Sequence, residues 1–219
     1  MKVRRVLKYL VLLLPSKAKI WLLRRLGASI GKGCYIGISL LDASRIELGD
    51  AVRIGHFNLV HRLCRLRMGT GSRINDFNWI TGANTGELTV GANSAITRLH
   101  FFEASGSIHI EDNSIVAGRS SHFFTHGITP TNLDDVRPIV IGPWCYVGSS
   151  SRFVPGSSIS RGTFVGMGSV VTRRFDDDYL LIAGAPAVVR KRLAPQDAYF
   201  ARSYLSHDHH PAGYDGRGL

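Results

Sequence analysis

Cysteine is scarce in this 219-residue chain: Cys34, Cys64 and Cys145 stand far apart, odd in number and without a CxxC pair. That excludes a disulfide scaffold and points to a reducing, cytoplasmic setting. Long apolar runs are missing too. The most hydrophobic stretch, in "MKVRRVLKYLVLLLP", falls short of the roughly 20 apolar residues that cross a bilayer. Acidic residues are outnumbered, 16 Asp and Glu against 27 Lys and Arg, giving a formal net charge of +11. A basic chain favours an anionic partner without naming it. No nucleic-acid-binding motif is present, and aromatics do not interleave with a single basic run, so no nucleic-acid partner is expected. With 44% hydrophobic residues, the chain has enough apolar material for a sizeable core.

Residues 1–27 read as a basic amphipathic helical segment. Val3, Val6, Leu7, Leu10 and Leu14 fall at helical spacing between Lys2, Arg4, Arg5 and Lys8. Pro15 breaks the run, Ser16 can cap the next helix and Gly27 can end it. The segment either caps the main domain or, through residues 1–14, rests on a membrane surface as a peripheral contact. A secretory leader lacks its clean small-x-small cleavage site here.

Period six dominates residues 28–172. Ile141, Val147, Phe153, Ile159, Val165 and Val171 recur every sixth residue, with Cys145, Ser151, Ser157, Thr163 and Ser169 four places behind the aliphatics. Upstream, Ile30, Ile36, Leu48, Ile54 and Val60 share one phase, broken only by Asp42. Met68, Ile74 and Ile80 form another, Val90, Ile96, Phe102 and Ile108 a third, and Ile110 and Val116 open a fourth. Six matches neither a helix nor an alternating strand. It is the period of a parallel β-helix, in which each hexad is a short strand and a turn and three hexads close one coil. Aliphatics stack inward, and small residues sit near tight corners. The expected fold class is therefore all-β, a parallel β-solenoid. Periodicity alone does not fix its hand.

Two breaks carry the chemistry. "HFFTHGITPTNLDDVRP", 122–138, reads as a loop excursion, and loops of that length on a solenoid tend to be functional. After Val171 a basic, partly helical extension covers 173–205, and 206–219 reads as a disordered tail whose HDHH is merely polar.

The run "IVIGPWCYVGSSSRFVPGSSISRGTFVGMGSVVT" followed by "LIAGAPAVVRKR" resembles the C-terminal signature of the hexapeptide-repeat acetyltransferases, nearest the maltose/galactoside and polysaccharide O-acetyltransferase group. The likeness covers about residues 28–192. Thr125–His126, Arg137 and Ile139–Gly142 match the group's Thr–His pair, Arg and following coil; Tyr146 and Ala185 depart from its usual Trp and Asn. The resemblance implies a left-handed β-helix, acetyl-CoA as co-substrate without a metal, a sugar or glycan hydroxyl as acceptor, and a homotrimer with sites between subunits. His126 is the candidate base, because an alcohol needs a base near pH 7 and a neutral imidazole suits. His122, in the apolar register, reads as a packing residue. Asp134 and Asp135 are candidates to orient His126 or bind acceptor, and Arg137 to bind acceptor or brace the loop. Gly148, Ser149, Gly166 and Gly168 leave room for the pantetheine arm, and Arg173, Arg190, Lys191 and Arg192 could meet phosphates. Two rivals share the scaffold. One is a zinc hydratase of the γ-carbonic anhydrase kind using His100, His122 and His126; the other is a non-enzymatic solenoid binding an anionic polymer.

Overall fold

A computed structural model describes residues 11–202. The chain winds into a parallel β-solenoid of about eight turns. Each coil has three faces. Strands of the first face run from Tyr35–Ile36 through Arg53–Ile54, Arg73–Ile74, Ala95–Ile96, Ile115–Val116, Tyr146–Val147 and Phe164–Val165 to Leu180–Gly184, each hydrogen-bonded to the next. The second and third faces form one 13-stranded sheet, because the long strands Leu40–Leu48 and Leu59–Met68 turn the corner between them.

Register places one inward residue per face above its counterpart. Ile36, Ile54, Ile74, Ile96, Val116, Val147, Val165 and Ile182 make the first column. All are essentially inaccessible. On the second face the column turns aromatic at three successive coils. Phe102 stacks on Phe123 at 4.6 Å and Phe123 on Phe153 at 4.9 Å. Parallel strands lie ~4.8 Å apart, close to a ring-stacking distance, so in-register phenylalanines stack without adjustment.

Phase slips have local causes. Five residues, not six, separate Ile36 from Leu41, and the ladder is irregular between Leu41 and Ala43. Leu41 therefore packs against the core, and Asp42 is left outside to pair with His61 at 3.5 Å. Seven residues separate Val116 from Phe123, the extra one accommodated in a corner where Gly118 has φ +69°. A Cβ on Gly118 would overlap the Ser149 side chain, which would have to shift to admit it. This slip corrects the reading of His122 as a packing residue. Phe123 takes the core position, and His122 turns outward against Phe101 and Phe124.

Corner side chains bind consecutive coils. Between the first and second faces, Asn58 Oδ1 accepts from Asn78 N, Asn78 Oδ1 from His100 N, His100 Nδ1 from Ser121 N, and Ser121 Oγ from Ser151 N. Each buried backbone N–H thus meets a side-chain acceptor one coil away.

At the N-terminal end the helix α1 (Ser16–Arg25) covers the first coil. Ser16 Oγ accepts from Ile36 N, Arg24 donates to Ile30 and Gly31 carbonyls, and Lys19 Nζ donates to the carbonyls of Leu12 and Gly37. Lys19 and Leu23 are the buried residues of α1, and burial holds the Lys19 ammonium pKa below its ordinary value. At the other end the coils continue through Ile182, and the basic segment Ala187–Arg192 returns as an antiparallel edge strand. The short helix α2 (Ala198–Ala201) follows it. There Tyr199 donates to the Cys145 carbonyl and its ring packs against Phe164. Most of the 1–14 segment and all of 206–219 lie outside the described residues.

Candidate active site

The excursion leaves the solenoid where the second face meets the third. His122–Phe124 is still a coil strand, and Thr125, fully buried, fills the small-residue corner position that Ala104 fills one coil earlier. Thr125, two places after Phe123, thus occupies the buried corner, and His126 lies outside it. His126 begins a two-stranded hairpin, His126–Thr129 and Asn132–Val136. Arg137 N closes its base on the Thr125 carbonyl.

Glu103, a residue that periodicity did not mark, anchors that base. Its Oε2 accepts from Thr125 N, Thr125 Oγ1 and His126 N at 3.1, 3.0 and 2.9 Å. Its Oε1 takes the Ser105 amide and hydroxyl. Burial, the largest single influence, raises the carboxyl pKa, but the hydrogen bonds from Ser105, Thr125 and His126 together outweigh it and hold the group below its usual range. The carboxylate thus fixes the backbone of His126 while leaving its imidazole outside, 44% exposed. Asp134 lies beside that ring, with Oδ1 3.7 Å from Nε2.

Asp135 and Arg137 are committed to each other. Arg137 Nε and Nη2 both lie 2.7 Å from the Asp135 carboxylate. The guanidinium also lies over Gly156 of the next coil, within 3.1 Å of where a Cβ would stand. Arg137 thus spans Asp135 and the next coil, and Asp134, rather than Asp135, lies beside His126.

Gly148, Ser149, Gly166 and Gly168 share the corner between the first and second faces. Gly148 N donates to Val165 O, Gly166 N to Ile182 O and Gly168 N to Ser149 O. Gly168, at φ +70°, has open space where a side chain would point. Arg190 joins this row, its Nε 3.2 Å from Ala183 O. Lys191 and Arg192 lie on the terminal edge strand, where Arg192 pairs with Asp177 at 2.7 Å. Arg173 is elsewhere: it follows Val171 at the His126 corner and lies over the Phe175 ring at 4.5 Å. Within one chain, then, His126 and the glycine row occupy the two opposite corners of the second face.

His100 has no free nitrogen. Nδ1 accepts from Ser121 N, which leaves Nε2 as the protonated nitrogen facing Thr97 Oγ1 at 2.9 Å. Burial, then the nearby charge of His122, pulls its pKa down to about 4. Among the described residues no three His, Cys, Asp or Glu side chains are grouped to hold a metal.

No family model matches the sequence. The chain is 26% identical over 177 residues to the putative colanic acid biosynthesis acetyltransferase WcaF of Escherichia coli (strain K12), covering 80% of this chain and 75% of that one. It is 26% identical over 184 residues to the bifunctional protein GlmU of Acinetobacter baylyi; this covers 73% of the chain but only 39% of GlmU. Among solved structures, a point mutant of the Bacillus cereus N-acyltransferase AntD, complexed with dTDP and coenzyme A, aligns with TM-score 0.57 and 20% identity over 78% of this chain and 88% of that one. The polysialic acid O-acetyltransferase OatWY aligns with TM-score 0.53 and 19% identity over 81% and 80%. The chain is thus similar in sequence to hexapeptide-repeat acetyltransferases, and its fold is the left-handed parallel β-helix of the acetyltransferase structures it matches.

Proposed function

We propose that the protein transfers an acetyl group from acetyl-CoA to a hydroxyl of a sugar during synthesis of a surface polysaccharide or related glycan, with His126 as general base. The observation that carries this reading is His126 itself: an imidazole outside the core, on a backbone pinned by Glu103, at the root of a hairpin that departs from the coils. The WcaF likeness supports a glycan acceptor, and coenzyme A in the AntD complex is consistent with the donor.

In the proposed reaction an imidazole nitrogen of His126 takes the proton of the acceptor hydroxyl as its oxygen attacks the thioester carbonyl. The tetrahedral oxyanion collapses and expels the thiolate of CoA. The imidazolium returns the proton to that sulfur, giving an O-acetyl sugar and CoA-SH. Asp134 orients the ring. The glycine row takes the pantetheine arm, and Arg190 and Lys191 meet the phosphates. Because His126 and that row lie on opposite corners, the complete site joins His126 of one copy to the row of a neighbour in a homotrimer. The hydratase reading would need His100 as a ligand, and both of its nitrogens already serve the corner.

The test is turnover of labelled acetyl-CoA by the full chain against a panel of sugars and oligosaccharides, followed by free-thiol release. His126→Ala is expected to lower kcat by ~10²–10⁴, with little change in the KM for acetyl-CoA and no loss of fold. Undiminished turnover in His126→Ala would remove His126 from the chemistry. Loss of turnover in a folded His122→Ala with His126→Ala active would reassign the base.

A further inference from the structure

The helix α1 has two unlike sides. Its inner side caps the first coil through Ser16, Lys19, Leu23 and Arg24. On the outer side Lys17, Trp21 and Arg25 recur every four residues and so share one stripe. Trp21 is 60% exposed, with the Arg25 guanidinium 5.4 Å from its ring centroid. Leu13, just before Pro15 and α1, is 73% exposed. Residues 11–28 contain no acidic side chain, and Lys2, Arg4, Arg5 and Lys8 precede them in the sequence.

We infer that this outer face of α1 docks the solenoid, N-terminal end first, onto the surface of an anionic lipid bilayer. An indole between cations matches the membrane interface, where aromatic rings settle at headgroup depth and Lys and Arg meet anionic lipid. Among the described residues no helix is long and apolar enough to cross a membrane, so the contact is peripheral. A nucleic acid would use the cations but leave Leu13 and Trp21 in water, which favours lipid over a polyanion in solution. The inference concerns attachment alone and does not rest on the proposed catalysis.

The experiment is flotation of the full chain with vesicles of phosphatidylcholine alone or mixed in equal parts with phosphatidylglycerol. Binding is expected only to the mixed vesicles and is lost as salt rises toward ~0.5 M, where exposed charges are screened. Replacing Lys17 and Arg25 together by Ala should weaken partitioning about tenfold or more, and Trp21→Ala should weaken it several-fold (roughly, by loss of buried ring area). These side chains point into solvent, so unfolding temperatures should stay at the wild-type value. Equal binding by wild type and both variants would overturn the inference, since another surface would then be responsible. Absence of binding to the mixed vesicles would overturn it too. So would duplex DNA competing fully with the vesicles for the same residues, because the site would then read charge alone.

Discussion

Glu103 is the residue on which the candidate site turns. Five donors converge on one carboxylate, so Glu103→Gln must set an amide NH₂ against some of them, and unpaired buried donors cost about 1–3 kcal/mol each. Glu103→Gln should lower kcat at least tenfold (roughly, for a misplaced base), leave the KM for acetyl-CoA nearly unchanged, and shift the unfolding temperature by only a few degrees. Equal kcat in the variant would show that the hairpin base holds without it. Its pH signature has a definite sign. The folded pKa lies below the usual value of 4.5, so its contribution is present above that pH and is lost as pH falls through the folded value. His100 acts in a separate window. Its pKa of about 4 when folded, against 6.5, means the unfolded chain binds the extra proton between those values. Stability should therefore fall by about 3 kcal/mol between pH 6.5 and pH 4. His100→Asn, which can offer Ser121 N the same kind of acceptor as Asn78 offers His100, should flatten that slope in denaturant titrations. An unchanged slope would locate the acid lability elsewhere.

Helix α1 supplies what a solenoid lacks at its end, partners for backbone groups that no further coil can meet. Arg24→Ala removes a charged donor from the Ile30 and Gly31 carbonyls and should cost about 1.5–3 kcal/mol in chemical denaturation. A null effect would mean water replaces the guanidinium freely. The coils themselves were legible in the sequence. Ile141, Val147, Phe153, Ile159, Val165 and Val171 all prove to be core residues, because stacking requires one apolar side chain per face. The hairpin's existence was legible too, as a break between Val116 and Ile139. Its root was not. One added residue in the Gly118 corner moves Phe123 into the core and Thr125 into the buried corner, and period counting cannot see a corner of unusual length. Glu103 was invisible for a related reason: its role depends on the donors that the next coil places beside it, 22 and 23 residues later in Thr125 and His126. The Asp135–Arg137 pair is two residues apart in sequence, yet only the hairpin's conformation decides that they face each other rather than an acceptor.

Across the whole molecule, exposed apolar side chains form a band along the early coils: Phe57, Phe77 and Leu99 stand on the corner that Gly168 occupies in a later coil, and Trp79 stands beside them on the second face. Bands of this size on a single chain mark a contact surface. Trp79→Glu is expected to turn the proposed trimer into monomers by light scattering and to abolish turnover, and a fully active monomer would contradict the assembly. Docked by α1, the molecule would hold the hairpin four strand spacings, about 20 Å, beyond the first coil, with α1 between that coil and the bilayer. The central claim is that His126 of one copy acts on acetyl-CoA held by another. It is tested most directly by mixing two inactive variants, His126→Ala and Gly168→Asp, dissociating and reassembling them, and measuring thiol release. Aspartate tolerates the left-handed backbone at residue 168 and puts a negative charge in the row. If the site is shared, wild-type histidine meets a wild-type row at about one interface in four of an equal mixture, restoring about a quarter of native turnover. No recovery in any mixture, with both variants folded and trimeric, would place the whole site within one chain and contradict the account.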